Sequence, residues 1–440
     1  MRRVCLTLPT DRACAETIAA TAAEAAYGAR RFGVEVHLLI LDTSDAETLA
    51  GHRKAVAALA PAPGVVVHHL DGAQQRAFLR QVIGRSGVAE ADRVLDLMLP
   101  TGVSYGACTN RAFLFAQHLG CTSVHRRDSD SRYQELDRRP VHPIRHELAA
   151  LGRPAAEVAP LMSRSRLAPA HAHRPVAMVG GSFVGEMSVD LEEINRLDPE
   201  VYREVVGLSI PTGCPEIWRN NLIAESFRGA GAAEFLGDHT TLTHVSPNQV
   251  DMCNIAFGRE VYGRLPLPPA TDTIGSDYFL INLVHRAQLP GVLHNRHIVN
   301  YHTGERRTDR GFLAYQVRLA KFFLATPYLD AVYTRLAGVG AALLDAEGLV
   351  RAELVAGFVR DSVRLDRTGN ADRLEVLDRC YRRLGGRYTA AADLLAARRE
   401  ELLDRAARDM ADYALLIDAW AALTRSRVLQ PTAPRVGVTP

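Results

Sequence analysis

The sequence predicts an α/β chain: a mostly parallel central sheet flanked by helices, followed by an α-helical C-terminal region. Three observations predict it. From Val4 to Asp71, short apolar runs alternate with helical stretches, the pattern of a parallel sheet with crossover helices. Short apolar runs return at Val176–Val179, within Asp251–Arg259 and at Val292–Val299. Beyond Gly311 they vanish, and long Ala/Leu/Arg-rich helical patterns take over.

Val4–Leu8 reads as a buried strand ended by Pro9-Thr10-Asp11-Arg12, and an Ala-rich helix from about Cys14 to Arg31 follows. Val34–Leu41 is a second buried strand, Asp45–Leu59 a helix, and Gly64–Asp71 a third strand. Ligands gather beyond the carboxyl ends of parallel strands, which places Thr10, Arg12, Asp42 and Asp71 at that edge. Asp42 and Asp71 are equally suited to capping the helices that follow them. Ser104–Arg111 opens the next helix, in which Ala112, Phe115, Ala116 and Leu119 recur with helical spacing and predict one buried face. Arg111 falls in the first turn of that helix. A cation is unfavourable there unless an anion is also present, so it is read either as a phosphate contact or as a solvated arginine.

After that helix comes Val124-His125-Arg126-Arg127-Asp128-Ser129-Asp130-Ser131, the stretch on which the functional reading turns. In an extended Asp-Ser-Asp, alternate side chains share a face, so Asp128 and Asp130 are expected to converge on one point. Paired carboxylate oxygens suit a hard divalent cation, Mn2+ or Mg2+, that keeps its other positions for water and phosphate. The segment from about Gln134 to Arg174 is rich in Arg, Pro and His and is read as a crossing segment with one helix near Arg145–Ala150. Its His171-Ala172-His173 is read as surface. Gly180-Gly181-Ser182 departs from the Gly-x-Gly-x-x-Gly spacing, which excludes a dinucleotide site. Asp277 follows Gly275-Ser276 and precedes an apolar helix, so it is either an N-cap or a carboxylate aimed into a cleft. Val292–Val299 runs towards His302, with His297 close by.

The bulk composition narrows the choice. Hydrophobic residues are 47% of the 440, enough for a large core, and a net charge of +2 excludes a general polyanion binder such as a nucleic-acid protein. The seven cysteines show no Cys-x-x-Cys or zinc spacing, which fits small core residues of a reduced, cytoplasmic protein. No leader-like run follows Met1-Arg2-Arg3, and no apolar run reaches the length that spans a bilayer, so neither secretion nor a membrane is expected.

Taken together these features resemble the nucleotide-sugar-dependent glycosyltransferases of the GT-A fold, closest in style to the family-2-like group. The likeness covers residues 1–310. It rests on the alternating first half, Ala107-Cys108-Thr109-Asn110-Arg111 ahead of the acids, Asp128-Ser129-Asp130 as the Asp-x-Asp, and the Gly-rich strand end. Asn254-Ile255-Ala256-Phe257, Ser276-Asp277-Tyr278 and a late His302 complete it. The sequence departs from the family at Ser276, where an acid is common, and His297 competes with His302. The resemblance implies a Rossmann-like, mostly parallel sheet and a metal (Mn2+ or Mg2+) held by Asp128, Asp130 and His302. It implies a nucleoside diphosphate sugar donor, of UDP or GDP type, contacted by Thr10, Arg12, Asp42, Asp71, Arg111 and Asp128. Asp277 would be the general base towards a small-molecule acceptor, with inversion favoured over retention.

Two other classes remain open: a related enzyme moving or activating a non-sugar group, including a nucleotidyltransferase, and a catalytically dead nucleotide-sugar-binding protein. Leu8-Pro9-Thr10-Asp11-Arg12 lacks the glycines a nucleotidyltransferase loop would carry. The expected division is a transferase domain at 1–310, a helical domain at 311–428 offering a homodimer surface, and a loose tail at 429–440.

Overall fold

A computed structural model describes residues 1–187, 191–211, 214–232, 234–301 and 308–426. The first half follows the sequence pattern closely. Strands β1 (Arg3–Thr10), β2 (Glu35–Asp42) and β3 (Val65–Leu70) alternate with helices α1 (Ala15–Phe32), α2 (Ala46–Ala57) and α3 (Gly72–Ser86). Helices α4 (Ala91–Met98) and α5 (Tyr105–His118) then lead to β4 (Ser123–Arg127). These four strands lie parallel in the order β3-β2-β1-β4. β1, β2 and β4 are buried along most of their length because helices cover both faces, which is why β1 and β2 read as continuous apolar runs, whereas β3, at the sheet edge, is half-buried.

Beyond β4 the nine-stranded sheet continues through Asn254–Gly258, Met178–Gly180, Gly291–His294, Thr240–Thr243 and Arg164–Ser165. The strand Asn254–Gly258 runs antiparallel to both its neighbours. The predicted strand at Val292–Val299 is two strands. Gly291–His294 belongs to the main sheet, whereas Ile298–Asn300 pairs with Phe183–Gly185 and Ser131–Tyr133 in a small second sheet. The break falls where Arg296 turns inward to Asp238.

The C-terminal region is helical, as expected, with different bounds. Its first helix runs from Asp309 to Val339 and carries Pro327 inside it. A proline there removes a donor and costs roughly 3 kcal/mol. Burial of Phe323, Leu324, Tyr328, Val332 and Leu336 along the same helix offsets that cost. Thr368–Leu384, Arg387–Ala397 and Arg399–Arg425 are further helices of this region.

These helices share one hydrophobic core with the sheet. Trp420 Nε1 donates to the Tyr262 carbonyl at 3.0 Å, and Tyr413 Oη to that of Pro266 at 3.1 Å. The Arg399–Arg425 helix thereby covers the side of α5 that the apolar spacing leaves open, and α5 is buried nearly all round. Close packing at its start makes a sharp test. A Cβ on Gly106 would lie 1.9 Å from the Pro268 carbonyl oxygen, so backbone would have to move. Gly106→Ala is expected to cost about 1–3 kcal/mol or more in denaturant unfolding, and an unchanged midpoint would contradict the packing. All seven cysteines are unbridged. Among the described residues, no helix is long and apolar enough to cross a membrane.

Candidate active site

The β1–α1 loop is built by short-range hydrogen bonds. Thr10 Oγ1 donates to the Arg12 carbonyl at 2.8 Å and accepts from the Arg12 amide, which turns the Arg12 side chain towards Asp130 at 3.2 Å. The far end of the loop is anchored through β2. The Cys14 amide donates to His52 Nε2 at 3.0 Å, and His52 Nδ1 lies 2.7 Å from Asp42 Oδ2. His69 Nε2 meets the same oxygen at 2.9 Å.

Asp42, His52 and His69 place three potential ligand atoms within 4.8 Å of one another. A backbone amide can only donate, however, so Cys14 fixes the His52 proton on Nδ1, the nitrogen a cation would need. The cluster is a hydrogen-bonded anchor. Burial works against the charge on Asp42, but bonds from His69, Ser44 and His52 outweigh it and hold the carboxyl well below the usual range.

On β4 alternate residues take opposite faces. His125 and Arg127 enter a closed network with Glu147 and Glu24. Arg126 points the other way, where its guanidinium pairs with Asp128 at 3.0 Å and with Asp277. The extended Asp-Ser-Asp expected from sequence is instead a turn, closed by the Ser131 amide on the Asp128 carbonyl at 3.2 Å. Both side chains still face one cavity, because the turn carries Asp130 round to Arg12 while Asp128 stays on Arg126. Burial pushes the Asp128 carboxyl up to about 6; Arg126 opposes the shift, and Asp130, Asp277 and Asp251 add to it. Tyr278 Oη donates to Asp251, completing an acid-rich wall.

This wall belongs to a cavity of about 1160 Å3 over the carboxyl ends of β1, β2 and β4. The cavity brings together Thr10, Arg12, Arg111, Asp128, Asp130 and Asp277. It does not bring in Asp42 or Asp71, and the expectation that these two reach a ligand is corrected. Asp42 is fully buried on its two histidines, and Asp71 forms a capping box with Gln74 and pairs with Arg53.

Arg111 sits in the second turn of α5, not the first. Its guanidinium donates to Gln75 Oε1 and to the Met98 carbonyl, both at 2.8 Å, so its anchoring needs no external anion. Asp277 is not an N-cap of the helix Phe279–Arg286. His297 Nδ1 accepts from the Ser182 amide at 3.0 Å. His302 lies outside the described residues. The sequence reading missed Arg126, Asp251 and Tyr278. Arg126 was legible in principle, because period two puts it on the face of Asp128, and Tyr278 adjoins Asp277; Asp251 is remote in sequence from both.

The donor set fits a hard divalent ion. Asp128 and Asp130 are partly open to the cavity, and each keeps one carboxylate oxygen without a hydrogen bond among the described residues. Burial raises Asp128 first, and the neighbouring carboxylates that add to the rise make a field that an added cation would relieve.

A Rossmann-like parallel unit, a reversed strand beside β4 and an acid-lined cavity over the strand ends define an α/β protein of GT-A-like fold. The chain belongs to DUF6271, a family of unknown function, whose model matches residues 2–434. No curated protein matches the chain.

Among solved structures it is similar to the mannosyltransferase PcManGT from Pyrobaculum calidifontis in complex with GDP-Man and Mn2+. The identity is 14%, over 96% of this chain and 86% of that one, with a TM-score of 0.38. A mycobacterial protein matches at 13% identity over 79% and 82% of the two chains, TM-score 0.31. S. aureus TarS 1-349 matches at 12% over 94% and 91%, TM-score 0.31. At these identities and scores none of them assigns chemistry to this chain.

Proposed function

We propose that the chain is a glycosyltransferase that moves a sugar from a nucleoside diphosphate donor to a small-molecule acceptor. The observation that carries the reading is the convergence of Asp128, Asp130 and Asp277, with Arg12, on one cavity beyond the ends of the parallel strands. Asp128 and Asp130 would hold Mn2+ or Mg2+. When bound, that ion supplies Lewis-acid neutralisation of the diphosphate. Arg12, on the β1–α1 loop, would add a charge-assisted contact to the same phosphates.

Asp277 keeps one oxygen free of hydrogen bonds among the described residues, while Arg126 holds the other and fixes the carboxylate's direction. The acceptor hydroxyl or amine would give its proton to that free oxygen as the acceptor atom bonds to the anomeric carbon. The bond from that carbon to the diphosphate oxygen breaks, and the nucleoside diphosphate leaves with the electron pair, inverting the centre.

A thermal-shift panel of UDP, GDP, ADP, CDP and dTDP, each with and without Mn2+, tests the reading. One nucleotide class is expected to stabilise the chain by about 2.7 kcal/mol at a hundredfold excess over its Kd, chiefly when Mn2+ is present. No stabilisation by any of them would overturn the assignment. A shift that is identical in EDTA would make Arg12 and Arg126 the diphosphate's counter-charges and remove the metal from the scheme.

A further inference from the structure

The cavity is larger than one donor needs. Its volume of about 1160 Å3 exceeds the roughly 300–1,000 Å3 typical of a site for one small ligand. Its walls also change character. Away from the strand ends they include Ile210, Leu222, Phe227, Ile274, Phe322 and Leu329, contributed by residues 209–211 and 222–229, the loop before Asp277 and the Asp309–Val339 helix. The Phe227 and Phe322 rings meet edge to face at 6.2 Å. Phe322 lies flush on Gly275, whose φ is +72°; a Cβ there would meet the ring at 2.9 Å. The aromatic wall therefore begins two residues from Asp277.

Three polar side chains in this half are turned onto protein, while Glu225 and Arg286 also line it. Thr326 Oγ1 donates to the Phe322 carbonyl, Asn282 Nδ2 to that of Tyr278, and His285 Nδ1 is bonded to that of Val245. Asp330 is the contrast. Among the described residues it makes no hydrogen bond or ion pair, and burial pushes its carboxyl up to about 6, with Arg373 and Arg286 partly opposing. Such a group adds an acceptor at the edge of the apolar and aromatic wall that stands next to Asp277.

We propose that this half is the acceptor chamber and that its occupant is an aromatic small molecule presenting a hydroxyl or amine to Asp277; the proposal rests on the transferase reading above. Flat rings stack on Phe227 and Phe322 at little cost. A saccharide chain laid against Phe227, Phe322, Ile274 and Leu329 would bury hydroxyls on carbon, and each unmet hydroxyl costs free energy.

The test is titration calorimetry on the full chain, with quercetin and alizarin as aromatic probes and chitotetraose and maltotetraose as saccharide probes. Each is run alone and with the nucleotide that gives a thermal shift. The aromatic probes are expected to bind in both conditions, and Phe322→Ala and Leu329→Arg are each expected to weaken them by about tenfold or more. Two variants guard against one failing to fold. Binding of saccharides alone, displacement of the probe by nucleotide, or indifference to both substitutions would overturn the proposal. Failure of every nucleotide to bind would sink the transferase reading instead, and the two are told apart because the probes are also titrated without nucleotide.

Discussion

Asp130→Ala is expected to lower kcat/KM for sugar transfer by about a hundred- to a thousandfold, the scale of losing one preorganised charge at the leaving group. The same change should abolish the Mn2+-dependent part of the nucleotide thermal shift. Its effect on the free chain should be small. The Arg12–Asp130 pair is partly exposed, and such pairs contribute little net stability. Asp128→Asn makes a useful companion. It removes one carboxylate from a wall that also holds Asp130, Asp251 and Asp277, so the free chain should melt at a higher temperature while activity falls. Initial rates of nucleotide release, paired with melting curves, check both. Activity within a few-fold of wild type for Asp130→Ala would remove the acid pair from the mechanism.

The second large effect is on stability. Arg127→Met is expected to cost about 3–5 kcal/mol in equilibrium unfolding, because it leaves Glu24 and Glu147 buried without their counter-charge. Arg127 is fully enclosed. It bonds Glu24 at 2.8 and 3.0 Å and Glu147 at 3.0 Å. Glu24 also accepts from Tyr133 Oη and the Ile144 amide, and Glu147 is bonded to His125 Nδ1. The network ties α1, β4 and the helix Ile144–Ala150 together immediately before Asp128.

The pH dependence has a definite sign. Burial works to raise the Glu147 carboxyl, but Arg127 and His125 outweigh it and hold it below the ordinary range. A carboxyl lowered on folding contributes stability above its unfolded pKa, and that contribution is lost as pH falls through the folded value. Removing Arg127 should therefore move acid unfolding to higher pH. An unshifted acid transition, followed by circular dichroism, would show that the network carries no such linkage.

How much of this was legible depended on the range over which each residue's role is set. Asp128, Asp130 and Asp277 stood out because carboxylates beside strand ends or Gly-Ser loops are conspicuous locally. The structure opens all three onto one cavity. Asp42 and Asp71 stood out for the same reason and yet do something else. Whether a strand-end acid faces ligand or protein depends on His52, His69 and Gln74, whose approach no local pattern encodes. Arg111 was read as a phosphate contact or a solvated arginine because its partners Gln75 and Met98 lie on other helices. The pairing of Asp251 with Tyr278 carries no local signal, since the two meet across 27 residues of chain.

The sequence by itself determined the alternation of β1 to β4 with their helices, the helical character of the C-terminal region and the identity of the central acids. Apolar period and turn chemistry act over a few residues, and a single chain displays them directly. The tertiary structure alone decided that Arg126 joins Asp128 to Asp277, that α5 is buried on every side and that Phe322 stands against Gly275. Each of these depends on segments far apart in the chain finding one another, and hydrophobic burial drives that meeting without marking in advance which side chains will touch.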